Sequence, residues 1–115
     1  MSLDVDTLVS EMKSAASQIL TKDVATLKGF SERQIISIAA QAALVEEGIL
    51  TGEITEATRD FFLDSLKDMV RNFIRTLQGL VMLIIEKLWN AIVGVIWKAI
   101  ETATGISLPA IGSFA

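Results

Sequence analysis

The chain has 115 residues, with ten Lys and Arg against fourteen Asp and Glu, a net charge of -4, 51% hydrophobic residues and a mean hydropathy of +0.52. The absence of Cys and His excludes a disulfide scaffold, Cys or His metal ligands and every His-dependent catalytic triad. A chain of this length forms one domain at most, and its acidic balance argues against a nucleic-acid partner.

Two short helices are predicted in residues 1–54, which we expect to form a small helical head. The first runs from about Asp4 to Leu20, because its apolar residues recur at three- and four-residue steps. Ser31 is the predicted N-cap of the second helix, with Gln34 three residues later as in a capping box. Gly48 is expected to end this second helix in the left-handed conformation.

A third, much longer helix is predicted to begin at the N-cap Thr55. No Pro occurs before Pro109, so the helical pattern runs unbroken to about Glu101, within an assembly segment at 55–104. The remaining tail, residues 105–115, is apolar and uncharged. A chain end normally frays unless something holds it. Because this one is apolar, we expect a contact that holds it, such as a neighbouring subunit.

An eleven-residue repeat runs through this long helix, as in Leu66, Leu77, Leu88 and Ala99. Eleven residues make three turns, so the repeat keeps one stripe nearly straight along the helix. Its apolar positions are the predicted oligomer interface. They are Leu66, Val70, Phe73, Ile74, Leu77, Val81, Ile84, Ile85, Leu88, Ile92, Val95 and Ile96.

Polar residues occupy only one stripe of the same helix. They are Arg75, Glu86, Lys87, Asn90, Lys98 and Glu101. Because an ordinary surface helix is apolar on one stripe only, this helix must be covered on most sides. It would be about 68 Å long, roughly twice the width of a compact body of this size. Either it breaks near Gly79 and folds back, or other molecules cover it, and we expect the latter.

The predicted fold is therefore all-α, with two short helices and one long apolar helix that assembles as an oligomeric helical bundle. The predicted function is that of a non-enzymatic structural subunit, which homo-oligomerises through the long helix and joins other subunits of a larger assembly. Phage virions and secretion or injection devices contain small proteins of this kind, and we expect such a context.

A membrane-inserted or membrane-active protein, such as a pore-forming, holin-like or accessory membrane-complex protein, is the alternative. The segment Thr76–Trp97 is about 22 residues long, enough to cross a bilayer. Glu86 and Lys87 lie at its centre, and each would cost about 2.5–3.5 kcal/mol on insertion. Insertion is therefore marginal unless Glu86 of one subunit pairs with Lys87 of another.

No catalytic, cofactor or metal residues are predicted. A carboxylate-bridged metal pair in a helical bundle uses Glu-x-x-His, and the chain has no His. The acidic run Asp60, Asp64 and Asp68 is expected to be a solvated helix face. The N-terminus lacks a secretory signal pattern, so we expect synthesis in the cytoplasm, followed by assembly-bound or membrane-associated localisation. No small-molecule substrate is evident.

Overall fold

The structure, a computed structural model, describes residues 3–115, and over that part of the chain it contains four α-helices, one short 3-10 turn and no strand. The helices are α1 (Val5–Leu20), α2 (Glu32–Thr51), α3 (Glu56–Thr76) and α4 (Met82–Thr104), and the 3-10 turn is Val24–Thr26. The predicted all-α class is confirmed.

Side-chain caps explain where the first two helices begin. The carboxylate of Asp4 accepts a hydrogen bond from the Asp6 N–H at 3.2 Å, and the Ser31 hydroxyl accepts one from the Gln34 N–H at 3.2 Å. Each cap satisfies a backbone donor that the first helical turn leaves free. The predicted N-cap Thr55 is also the residue before α3.

The end of α2 differs from the prediction. The helix continues past Gly48 to Thr51, and Gly52 is the left-handed cap, with φ +82°. A Cβ on Gly48 would lie 2.7 Å from Cδ1 of Ile54. The glycine therefore provides space for this buried side chain to fold over the helix.

The prediction of one unbroken helix from Thr55 to Glu101 is wrong. The chain leaves the helix after Thr76 and resumes it at Met82, with Gly79 at φ +80° between them. The interruption costs helical hydrogen bonds, and part of that loss is recovered because the Gln78 N–H donates to the Lys28 carbonyl at 3.0 Å.

Burial explains why the chain folds back at this point. It places α4 against α1, α2 and α3, within a molecule of radius of gyration 13.7 Å and extents 41 × 27 × 19 Å. The fully or almost fully buried residues of α4 are Leu88, Trp89, Ile92, Val93, Ile96, Trp97 and Ile100. The free energy gained by removing these side chains from water outweighs a few lost backbone hydrogen bonds.

A close backbone approach at Gly29 accompanies the fold-back. This residue has φ +91°, and a Cβ placed on it would lie 1.8 Å from the Thr76 carbonyl oxygen. Glycine is thus required both by the left-handed backbone and by the contact with the end of α3. The α1–α2 connection and the α3–α4 connection meet here.

Candidate functional site

The predicted oligomer-interface residues lie mostly inside the chain's own core. Eight of them are buried, namely Leu66, Val70, Phe73, Ile74, Leu77, Leu88, Ile92 and Ile96. Ile84, Ile85 and Val95 are partly buried against the same core, and Val81 is 65% exposed. In this conformation the repeat therefore packs one helix of the chain against another.

The predicted polar stripe divides into two groups. Lys87, Asn90 and Lys98 are exposed. Glu86 and Glu101 instead bind backbone N–H groups of the C-terminal segment, and Arg75 lies over the ring of Phe114. We call residues 106–115 the strap; it has no regular secondary structure and follows Gly105, the left-handed cap of α4.

Two tryptophans of α4 hold the strap by its carbonyl groups. The Trp97 Nε1–H donates to the Pro109 carbonyl at 3.0 Å, and the Trp89 Nε1–H donates to the Gly112 carbonyl at 2.9 Å. Both rings are buried, so each indole packs in the core while its one polar atom finds a partner in the strap.

Two carboxylates of α4 hold the strap by its N–H groups. Glu101 accepts a hydrogen bond from the Leu108 N–H at 2.8 Å, and Glu86 accepts one from the Phe114 N–H at 3.3 Å. A carboxylate that binds a backbone donor replaces the partner that a neighbouring strand or helix turn would otherwise supply.

Arg71 of α3 closes the far end of the strap. Its Nε donates to the Phe114 carbonyl at 2.8 Å, its Nη2 donates to the Ser113 carbonyl at 3.4 Å, and its Nη1 is 2.9 Å from Asp68. The guanidinium also lies 4.6 Å from the centre of the Trp89 ring. The Arg71 side chain thus binds the strap and also forms an ion pair and a cation–π contact.

Phe114 is the buried anchor of the strap, with 7% of its surface exposed. Its ring meets Trp89 edge to face at 5.9 Å between centroids, and Arg75 lies 5.6 Å from its centre. We define the strap seat as the residues that make these contacts. They are Arg71, Arg75, Glu86, Trp89, Trp97 and Glu101.

The expectation that a neighbouring subunit holds the tail is corrected by this geometry, because the chain's own α3 and α4 hold it. The sequence pattern gave no prediction of a hydrogen-bond partner for Trp89 or Trp97. Two buried indoles on one helix each need an acceptor, and that requirement is the signal that could have pointed to the strap.

A second surface feature is the α1–α4 groove, a cavity of about 600 Å³ beside the N-terminal half of α1 and the C-terminal half of α4. It is lined by Leu3, Asp4, Thr7, Leu8, Glu11, Val95, Lys98, Ala99, Thr102 and Ala103. Asp4 and Glu11 lie on the α1 side and Lys98 on the α4 side. The Leu3 N–H donates to the buried carboxylate of Glu46 at 3.0 Å, which fixes the Leu3 end of the groove.

A third feature is the elbow, which we define as the consecutive apolar residues Val81, Met82 and Leu83. Their surfaces are 65%, 57% and 65% exposed. Val81, the residue before α4, provides no side-chain cap, and the first turn of α4 contains no acidic residue. The elbow is therefore an apolar and uncapped helix end in contact with solvent.

Within residues 3–115, no helix combines the length and the apolar character that crossing a membrane requires. Over the same residues, the acidic side chains form no group of three or more that could hold a metal ion. The predicted acidic run shows one local use, since Asp68 pairs with Arg71 at 2.9 Å.

Comparison with known proteins produced no match: no family model, no curated protein and no solved structure is significantly similar to this chain. The strap seat, the α1–α4 groove and the elbow are therefore the features of this chain that bear on its function.

Proposed function

We propose that this protein is a non-enzymatic structural subunit that associates with copies of itself within a larger assembly, and that the α1–α4 groove is the surface through which two copies meet. The apolar repeat was the expected interface, but most of it is buried within the chain. The groove takes its place in the proposal because it is concave, largely apolar and bordered by charges of opposite sign.

The charge arrangement is the observation that carries this proposal. In a twofold dimer, if residue i of one copy contacts residue j of the other, then residue j of the first copy also contacts residue i of the second. Glu11 borders the groove on α1 and Lys98 borders it on α4, so a twofold pairing of the two faces brings each Glu11 opposite the Lys98 of the other copy. Within residues 3–115 neither side chain forms an ion pair inside the chain.

The apolar lining suits the same arrangement. Two α1–α4 pairs that pack face to face form a four-helix bundle, whose shared core is built from inward-facing residues of all four helices. Val95, Ala99 and Ala103 line the groove, are partly exposed and would fill this core. Small alanine side chains allow the close approach of helices that such packing requires.

Charge reversal tests the pairing. Lys98→Glu and Glu11→Lys should each weaken dimerisation at least about tenfold, because each places like charges opposite one another. The double variant restores opposite charges and should recover most of the affinity. Sedimentation equilibrium between micromolar and millimolar protein measures all three. Lys87→Glu is the matched control, since Lys87 lies on the same face of α4 three turns earlier and outside the groove.

Two results would overturn the proposal. One is a wild-type chain that stays monomeric over this whole concentration range. The other is a Lys98→Glu variant that associates as strongly as the wild type, which would place any interface elsewhere on the molecule.

A membrane-surface role is the second candidate, and the elbow supports it. Three neighbouring large apolar side chains in water are unfavourable unless a partner covers them, and no charged residue occurs from Thr76 to Ile85. Flotation with phosphatidylcholine vesicles tests this role. The role is supported if the wild-type chain binds the vesicles, the Met82→Ser/Leu83→Ser variant does not, and the Ile36→Ser/Leu44→Ser variant still does. It is rejected if the wild-type chain is absent from the vesicle fraction.

A further inference from the structure

The strap seat binds its segment through main-chain groups. Four carbonyls of the strap accept hydrogen bonds, one from Trp97, one from Trp89 and two from Arg71, and two N–H groups donate to Glu101 and Glu86. Extended segments that bind to proteins usually obtain such contacts from the edge of a β-sheet. Here helix side chains supply them, so the seat holds by its main chain a segment that has no regular secondary structure.

The spacing of the two partners matches over the whole contact. The strap runs antiparallel to α4, since Leu108 binds Glu101 near the helix end and Phe114 binds Glu86 near its start. Along the helix, Glu101 and Glu86 are about 22 Å apart. A fully extended chain from Leu108 to Phe114 would cover at most about 20 Å; Gly112, with φ +78°, shortens the segment, and the two glutamate side chains span the remainder. Five strap residues, Leu108, Pro109, Gly112, Ser113 and Phe114, bond seat side chains, so the contacts extend over the whole segment.

The strap can leave the core without disrupting a helix. Phe114 is its one buried residue, while Ile106, Leu108 and Ile111 are only partly buried. Gly105 caps α4 in the left-handed conformation, and its N–H donates to the Glu101 carbonyl at 2.8 Å. Release of the strap beyond this cap leaves the hydrogen bonds of α4 intact, and segments of this kind open locally without global unfolding.

We propose that the strap seat accepts residues 106–115 of a second copy of this chain as well as its own, so that copies become linked by exchange of their C-terminal segments. The exchanged state makes the same contacts as the closed state, so its cost is the loss of the intramolecular link. A high local concentration of chains offsets that loss. The inference deepens the proposed self-association and rests on it for the presence of a second copy nearby, but it uses a different surface from the α1–α4 groove.

Cysteine cross-linking tests the exchange directly, because the chain has no Cys of its own. A Cβ on Gly94 would lie 3.8 Å from Cδ1 of Ile111, so positions 94 and 111 face each other when the strap is seated, and internal closure of the Gly94→Cys/Ile111→Cys double variant checks that the two cysteines can bond. The two single variants, one labelled with ¹⁵N, are mixed at millimolar concentration in an oxidised-glutathione buffer. Mass spectrometry then identifies the disulfide that joins a labelled chain to an unlabelled one.

We expect at least about tenfold more of this mixed dimer than with Gly94→Cys and the control Ala110→Cys, whose exposed side chain adjoins position 111 in the strap. Adding Phe114→Ala to the Ile111→Cys chain should abolish that excess. The double variant Gly94→Cys/Ile111→Cys must form its internal disulfide under the same conditions. If it does, and the mixed dimer is no more abundant than with the control, the inference is overturned.

The same experiment with Lys98→Glu in both chains separates this inference from the proposed dimer. A mixed disulfide that persists there supports strap exchange even if groove dimerisation fails. Conversely, a groove dimer of the wild-type chain without any excess of mixed disulfide retains the proposed function and rejects the exchange.

Discussion

α3 and α4 have the same eleven-residue repeat and nearly equal lengths, yet they are buried very differently. α3 buries one face and exposes the opposite one, where Phe61 is 69% exposed. α4 packs against the three other helices, and the strap covers part of its remaining surface. An apolar repeat thus identifies a buried stripe, while the residues outside the stripe determine how many partners a helix needs.

The two helices should differ most in the loss of stability that follows truncation of an aromatic residue. Trp89→Ala should lower the free energy of unfolding by about 3–5 kcal/mol, because it removes a fully buried ring that also bonds Gly112 and stacks on Arg71 and Phe114. Phe61→Ala on α3 should change it by less than about 0.5 kcal/mol. Urea denaturation followed by circular dichroism measures both.

Trp89→Phe keeps the comparison measurable if Trp89→Ala does not fold. It should cost about 1–2 kcal/mol, since it removes the indole N–H and part of the ring volume. Similar losses for Phe61→Ala and Trp89→Phe would contradict the described difference in burial between α3 and α4.

The contact between the α1–α2 connection and the end of α3 should be nearly as sensitive, at Gly29. Gly29→Ala is expected to cost about 2–4 kcal/mol, because a Cβ at φ +91° would overlap the Thr76 carbonyl oxygen. Thermal unfolding should show a correspondingly lower midpoint. Its matched control is Gly79→Ala, with a similar φ of +80° but no atom within 4 Å of the new Cβ.

Gly79→Ala should therefore cost only the backbone strain, about 1–2 kcal/mol. Equal effects at the two glycines would mean that the α1–α2 connection does not lie against the end of α3 as described.

Local signals in the sequence were sufficient for much of the fold. The caps Ser31 and Thr55 were each identified from residue type and position, and each precedes a helix. Such signals depend on a few neighbouring atoms, namely a side-chain oxygen and the N–H groups of the next turn. They act in the same way whatever the rest of the chain does.

The break between α3 and α4 depends on distant residues, so a break near Gly79 was considered as an alternative but not expected. Gly79 alone does not end a helix, since Gly94 lies within α4 and Gly48 within α2. The break becomes favourable because Gln78 binds Lys28 and because α4 then packs against α1. Neither term can be calculated from the residues near position 79.

The strap seat was missed for a related reason. Glu86 and Glu101 were identified correctly as polar positions of an apolar helix, but a polar position indicates only that something other than hydrocarbon lies opposite. Solvent, a lumen or a second chain would fit equally well. The actual partner, a backbone N–H from the last residues of the chain, has no sequence pattern of its own.

The smallest effect is expected where α4 contacts the strap rather than another helix. Trp97→Phe keeps most of the buried ring and removes the hydrogen bond to the Pro109 carbonyl, so the free energy of unfolding should fall by about 1 kcal/mol. Hydrogen exchange at the Leu108 amide should accelerate about tenfold or more, because the strap opens separately from the helices. Exchange at the Val70 amide on α3 should accelerate only by the factor that corresponds to the loss of global stability. Equal acceleration at both amides would show that strap and helices unfold as one unit.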